Sequence, residues 1–355
     1  MTGPSKLDLA SSLRRTSREV HFVLPDGVDD PARPSGGNTY DRRVRGELAA
    51  LGWVVREHVV PRSGEGLVAL ADAVRRIPDG SVALLDGLIA SGAPEVLVPE
   101  ARRVRQVVLM HMPLGDRRER EVLRAAAAIV TTSEWSRRRL GELYGLPSER
   151  VRVAEPGVDA ADPVRGSAAG DRLLSVAAVI PGKGHDVLLD GLAATADLPW
   201  RCACVGPLDR DPGWAAEMRR RANELGPRVS LPGPRTGAAL DRTYASADLL
   251  VHASHAETYG MVVTEALARG LPVLATDAGG VSEALGRGGL LVPPGDAAAL
   301  GAALRRWLQD GELRERLRRA ARERRATLRP WAATAADVAV ALTAAARAED
   351  LAGAA

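Results

Sequence analysis

The chain has 355 residues, 46% of them apolar and 26% charged, with a formal net charge of only +3. That supports two domains with cores of their own, built from Ala, Val and Leu, because aromatics are 3% and Phe22 is the single phenylalanine. No apolar run nears the roughly 20 residues of a membrane span, residues 1–20 carry arginine and no apolar secretory stretch, and Cys202 and Cys204 are too few and too close for a disulfide framework.

These exclusions predict a cytoplasmic protein without a transmembrane segment. The pI near 9.2 does not signal nucleic acid: the arginines alternate with acids, as in Arg314-Glu315-Arg316, and stacking aromatics are missing. Residues 20–24 predict a first buried strand, followed by a loop rich in Pro, Asp and Gly. A helix is expected over 40–51, stopped by Gly52, and then strands at 53–60, 82–85, 107–111, 128–131 and 151–154. Short apolar runs between helical stretches mark a parallel sheet covered on both faces. Residues 159–172 are small, polar and turn-forming, and read as a linker. The alternation restarts with strands at 173–176, 201–205, 229–231, 249–252, 272–276 and 289–292. A long charged helix over 296–325, an interruption at Pro330 and an Ala-rich helix over 331–347 complete the chain. The fold class is α/β, with two Rossmann-like, doubly wound domains facing across a cleft. The first spans 1–160 and the second 161–328, while 329–355 form a C-terminal helix crossing back to the first. Ligands of such sheets sit at the carboxyl ends of the strands.

The most informative stretch, 254–272, reads SHAETYGMVVTEALARGLP and follows the strand at 249–252. A helix is expected from near Thr258 to Gly270, with Pro272 beyond its end. Its first-turn N–H groups, from Tyr259 through Gly260 and Met261 to Val262, make an anion site, and Gly260 leaves room for close approach. Glu257 and Glu265 stand eight residues apart, about 12 Å of rise if helical. That spacing suits two acids reaching opposite ends of one ligand whose phosphates lie between them.

The Glu-x7-Glu spacing in this setting resembles the signature of retaining glycosyltransferases of family 4, which have the GT-B fold. Residues 175–189, SVAAVIPGKGHDVLL, resemble the family's phosphate-binding segment, and Val205-Gly206-Pro207 and Pro232-Gly233-Pro234 its nucleotide-side loops. Residues 275–283 and 289–293 also match. In the first half, Ser35-Gly36-Gly37, His111-Met112-Pro113 and Pro156-Gly157-Val158-Asp159 sit where the family places its glycine loop, cleft histidine and interdomain hinge. The resemblance runs from about His21 to Leu308.

The resemblance implies transfer of a sugar from a nucleoside diphosphate sugar to a hydroxyl or other nucleophile of a small-molecule, glycan or lipid acceptor. It implies front-face displacement with retention, no cofactor and no obligatory metal; the sequence shows no ligand-spaced His/Asp cluster. Glu265 would bind the ribose hydroxyls and Glu257 the donor sugar. Lys183 and the amides of the Thr258–Val262 stretch would neutralise the diphosphate. Gly36 and Gly37 would admit a helix N-terminus from the other side, His111 would sit beside the transferred sugar, and Gly206, Gly233 and Arg235 would face the nucleotide. Peripheral membrane contact fits relatives that act on lipids, although no basic amphipathic patch with apolar anchors is visible.

One departure stands out. Where the family has Gly-Arg before the lysine, this chain has Ala177-Ala178, so the arginine that pairs with the distal phosphate is absent. An arginine from another loop, a differently held donor, or lost catalysis would each accommodate it. Beside transfer stand two other readings: a different GT-B enzyme, either a sugar-nucleotide epimerase or a phosphorylase, and a non-catalytic nucleotide-sugar-binding protein. Lys183 could be an ordinary turn lysine. Yet of 48 basic residues only Lys6 and Lys183 are lysine, and a compact ammonium is not interchangeable with a guanidinium. His185, His252 and His255 flank the same loops. Cys202 and Cys204 share one face of a strand and read as core.

Overall fold

The computed structural model describes residues 18–30, 34–62 and 64–347. Lys6 and most of the arginine-bearing start lie outside them. The first sheet contains β1 (Glu19–Pro25), β2 (Val54–Val60), β3 (Val82–Asp86), β4 (Arg105–Met110), β5 (Ala128–Thr131) and β6 (Val151–Val153), in the order β2-β1-β3-β4-β5-β6. The second contains β7 (Arg172–Val176), β8 (Arg201–Val205), β9 (Val229–Gly233), β10 (Leu249–His252), β11 (Val273–Thr276) and β12 (Gly289–Val292), in the order β12-β11-β10-β7-β8-β9. Every pairing is parallel. The central strands β3, β10 and β11 are buried along their whole length because helices cover both faces, which explains their unbroken apolar runs.

These are the two Rossmann-like domains of the GT-B fold. Strand order reverses between β1 and β3 in the first sheet and between β7 and β10 in the second. Reversal opens a crevice at the carboxyl ends of the strands, and both crevices give onto the space between the domains. The linker lies in the irregular stretch 154–171 between β6 and β7 and is tied down by Asp248, whose carboxylate accepts from the Ser167 amide, from Ser167 Oγ at 2.8 Å and from the Arg172 amide at 3.0 Å.

The Ala-rich helix Trp331–Arg347 lies on the first sheet against the helix Gly36–Ala50. Its Trp331, Val338, Ala341 and Leu342 join Phe22, Leu24 and Leu84 in one core. Tyr40 presents its ring edge to Trp331, with centroids 5.7 Å apart, and donates its hydroxyl to the Ala154 carbonyl at 2.8 Å.

Several boundaries differ from expectation. The helix expected over 40–51 starts earlier and spans Gly36–Ala50. The helix within 254–272 spans only Met261–Ala268, because Gly260 adopts a left-handed φ of +92° that ends the helical run. The charged helix is two helices, Ala297–Gln309 and Gly311–Arg325, parted at Asp310. The Asp310 carboxylate caps the second by accepting from the Leu313 amide at 2.9 Å. β4 stops at Met110, so His111 belongs to the following loop. Among the described residues no helix is long and apolar enough to cross a membrane.

Candidate functional site

A cleft of about 580 Å³ lies between the domains and draws its walls from both. On the second domain, β7 leads into Ala177-Ala178 and then a short turn, Pro181–Lys183. Gly184 closes that turn at φ +63°, and a Cβ there would stand 1.9 Å from the Ala253 carbonyl oxygen. Only glycine lets the lysine turn seat against the end of β10. Lys183 Nζ then reaches Glu257 Oε1 at 2.5 Å, while Ser254 Oγ donates to the same oxygen at 3.0 Å and His252 Nε2 lies 3.3 Å away. Burial pushes the Glu257 carboxyl up, but His252 and the Lys183 charge outweigh it and hold the group down at about 2. Glu257 is therefore an anion at neutral pH. His185, behind the turn, is buried with both ring nitrogens unpartnered, and burial lowers it to about 4, so it is neutral.

Glu265 sits on the Met261–Ala268 helix, farther along the same wall. Tyr244 donates its hydroxyl to Glu265 Oε2 at 2.9 Å, and Arg269 stacks over the Tyr244 ring at 4.5 Å while donating to the Glu265 carbonyl at 2.8 Å. Burial raises this carboxyl. The first residues of the helix, Met261 and Val262, line the cleft with Gly260, so its positive end points inward.

The first domain answers with a second helix N-terminus. Ser35 caps the helix Gly36–Ala50 by accepting from the Asn38 amide at 3.0 Å. A Cβ on Gly36 would lie 3.5 Å from Met261 Sδ, so the two helix starts meet across the cleft. A Cβ on Gly37 would instead stand 3.5 Å from the His111 ring.

His111 belongs to a group that the sequence reading missed. Its Nε2 lies 2.9 Å from Asp41 Oδ1 and 3.6 Å from Asp86 Oδ2, and both acids are fully buried. Burial opposes a charged imidazole, but the two carboxylates outweigh it and raise His111 to about 10. Burial also lifts Asp41 to about 7, whereas Asp86 is lowered because the His111 contacts overcome its own burial. One imidazolium balanced by Asp86 leaves the pocket neutral, so the second negative charge on Asp41 is the disfavoured one. The three ligand atoms lie within 4.8 Å of one another and could hold a divalent cation as well as a proton. Where spacing along the chain shows no His/Asp cluster, the order β1-β3-β4 assembles one. The available signals were an acid within the buried stripe Tyr40, Val44 and Leu48, and an acid ending the apolar strand β3.

The cleft thus gathers Lys183, Glu257, Glu265, Gly36, Gly206 and Arg235, together with Gly260, Met261 and Val262. Gly37, His111, Gly233, Thr258 and Tyr259 do not line it. Because the helix starts late, Thr258 and Tyr259 fall in the preceding loop. The Thr258 carbonyl accepts from Ser133 Oγ of the first domain at 2.6 Å, and Tyr259 packs into the core of the second. Gly233 offers its carbonyl to the Gly206 amide at 3.1 Å and so supports the nucleotide-side loop from behind.

The family model described as "Glycosyltransferase Family 4" matches residues 7–162, and that described as "Glycosyl transferases group 1" matches residues 167–324. The chain belongs to glycosyltransferase family 4. Among curated relatives of this family 4 chain, the D-inositol 3-phosphate glycosyltransferase of Jonesia denitrificans is 32% identical over 245 residues, covering 62% of this chain and 57% of that protein. The protein of the same name from Nocardia farcinica is 34% identical over 233 residues, covering 57% and 48%. The chain spans about half the length of the curated relatives it matches. The sucrose-phosphate synthase structure from Thermosynechococcus elongatus superposes with a TM-score of 0.74 at 23% identity, covering 90% of this chain and 97% of that one. Anabaena Alr3699/HepE in complex with UDP-glucose superposes at 0.72 and 19% identity, covering 92% and 99%. These structures share its GT-B fold.

Proposed function

We propose that this chain moves a sugar from a nucleoside diphosphate sugar to a hydroxyl or other nucleophile of an acceptor, with retention at the anomeric carbon. The observation that carries this reading is the meeting of two helix N-termini beside Lys183, with Glu257 and Glu265 on either side of them in one cleft. As the bond from the anomeric carbon to phosphate oxygen lengthens, negative charge builds on the departing diphosphate. The Lys183 ammonium and the helix-start amides are already in place to meet it. Glu265 takes the ribose hydroxyls with the carboxylate oxygen that Tyr244 leaves free. Glu257, ionised and fixed by Lys183, Ser254 and His252, accepts hydrogen bonds from the donor sugar.

A carboxylate whose acid form titrates at about 2 is a weak base and a poor acceptor for the proton of the attacking hydroxyl. The acceptor proton therefore passes to the leaving phosphate oxygen, on the face where the new bond forms, and that shared face gives retention. His111, kept as an imidazolium by Asp41 and Asp86, stands off the cleft wall behind Gly37 and would meet the transferred sugar only on closure of the domains around the donor. In this reading no resident metal or cofactor takes part. UDP-glucose, bound by the Anabaena protein, is the first donor to try, and an inositol phosphate, from the relatives' names, is the first acceptor.

The test is product analysis with donor and acceptor panels, using wild type and Lys183→Ala. Transfer should give a glycoside of retained configuration and free nucleoside diphosphate, and Lys183→Ala should slow it roughly 100- to 1000-fold. An epimerised nucleotide sugar or a free sugar phosphate as the product would overturn the reading.

A further inference from the structure

Most cations in the cleft already have partners that neutralise or fix them. Lys183 rests on Glu257, Arg43 on Asp159 and Arg269 on Asp241. Arg235 donates to Thr243 Oγ1 at 2.6 Å, and Arg42 to Thr39 Oγ1 at 3.2 Å within its own domain. Arg210 differs. Among the described residues its guanidinium meets no carboxylate, and its one hydrogen bond crosses the cleft to the Pro34 carbonyl at 2.6 Å.

Pro34 immediately precedes Ser35, the cap of the Gly36–Ala50 helix. Arg210 therefore stands at the positive end of a 15-residue helix, facing the positive end of the Met261–Ala268 helix. Three positive sources directed into one space repel one another until an anion enters it. The loop that bears Arg210 lies directly beside Ala177-Ala178. The Ala177 amide donates to the Val205 carbonyl at 3.0 Å and the Val179 amide to the Pro207 carbonyl at 2.9 Å. A Cβ on Gly206 would stand 1.9 Å from the Ala177 oxygen. The small side chains of Ala177 and Ala178 thus form the wall next to which Arg210 enters.

We infer that Arg210 is the second cationic ligand of the donor diphosphate, supplied from the loop after β8 in place of an arginine at position 178. A guanidinium carries a fork of N–H donors. One holds Pro34 of the first domain, and the others bind phosphate oxygens, so the same side chain ties the two domains around the diphosphate. The assignment rests on the donor reading above, and the experiment separates the two.

Calorimetry follows binding of UDP, GDP, ADP and dTDP, and of the nucleoside matching whichever of them binds, to wild type, Arg210→Ala, and Arg210→Ala combined with Ala178→Arg. Arg210 is exposed, so its removal should leave the melting temperature unchanged. Arg210→Ala should weaken diphosphate binding roughly 10- to 100-fold and leave nucleoside binding as it was, and Ala178→Arg should restore much of the loss. Diphosphate affinity within about twofold of wild type in Arg210→Ala, or an equal loss for nucleoside and diphosphate, overturns the assignment alone. Wild-type protein that binds none of the four diphosphates overturns the donor reading and the assignment together.

Discussion

Glu257 and Glu265 have the same side chain and opposite electrostatics. Lys183 and His252 hold the first at about 2, while burial raises the second. Glu257 sits in the loop before Gly260 and Glu265 on the helix after it, rather than two turns apart on one helix. Their place on one cleft wall was nonetheless legible from sequence, because both lie in one short segment. Asp41 and Asp86 were not, because they meet His111 only after the sheet has placed β3 and β4 side by side and laid the Gly36–Ala50 helix over them. That trio makes a titration prediction. Folding raises His111 from its ordinary 6.5 to about 10. The stability this group contributes is therefore whole below pH 6.5, where the unfolded chain is protonated too, and is lost as pH rises toward 10. Nitrogen NMR of the imidazole should show both ring nitrogens protonated at pH 8 in wild type. With Asp41→Asn and Asp86→Asn together, burial acts unopposed and His111 should be neutral at that pH. A wild-type imidazole that titrates near 6.5 contradicts this electrostatic account.

At the scale of elements, the strands were readable because each buried parallel strand is an apolar run with nothing to mask it. Helix starts were less so, since they depend on caps and left-handed residues whose conformation is decided by what lies opposite. Gly260 shortens one helix from within, and Asp310 cuts another in two. Gly184 shows the same dependence at the lysine turn. Its φ of +63° alone disfavours any other residue, and the Ala253 carbonyl fills the space of a side chain. Gly184→Ala should therefore destabilise the second domain by about 1–3 kcal/mol and displace Lys183 from Glu257. Denaturant titration would show the loss as a lower midpoint, and donor turnover should fall with it. An unchanged midpoint would mean that the turn tolerates a Cβ and that its seat on β10 is not tight.

At the scale of the molecule, two half-sites must be held opposite each other. Glu283 of the second domain accepts from the Glu134 amide at 2.8 Å and the Trp135 amide at 2.7 Å, capping a first-domain helix, Glu134–Tyr144, across the interface. The C-terminal helix returns to the first domain, where Thr334 Oγ1 donates to the Glu155 carbonyl at 2.7 Å beside the hinge. Removing residues 331–355 takes Trp331, Val338 and Leu342 from that core, and the two aliphatic residues alone represent about 3–6 kcal/mol of burial. Limited proteolysis of the shortened chain should digest the first domain rapidly; a wild-type digestion pattern would show that the helix is dispensable. The two-domain plan was visible in the repeated strand–helix alternation, but the pairing of helix starts across the cleft was not, because it belongs to neither domain alone. The claim that this shared space holds a nucleoside diphosphate sugar is tested most directly by melting wild type and Glu265→Ala with UDP, GDP, ADP, dTDP and their sugars. One nucleotide series should raise the wild-type melting temperature, by the equivalent of about 2.7 kcal/mol at 100 times its Kd, and Glu265→Ala should lose most of that rise. No rise with any of them, or the same rise in both proteins, would contradict it.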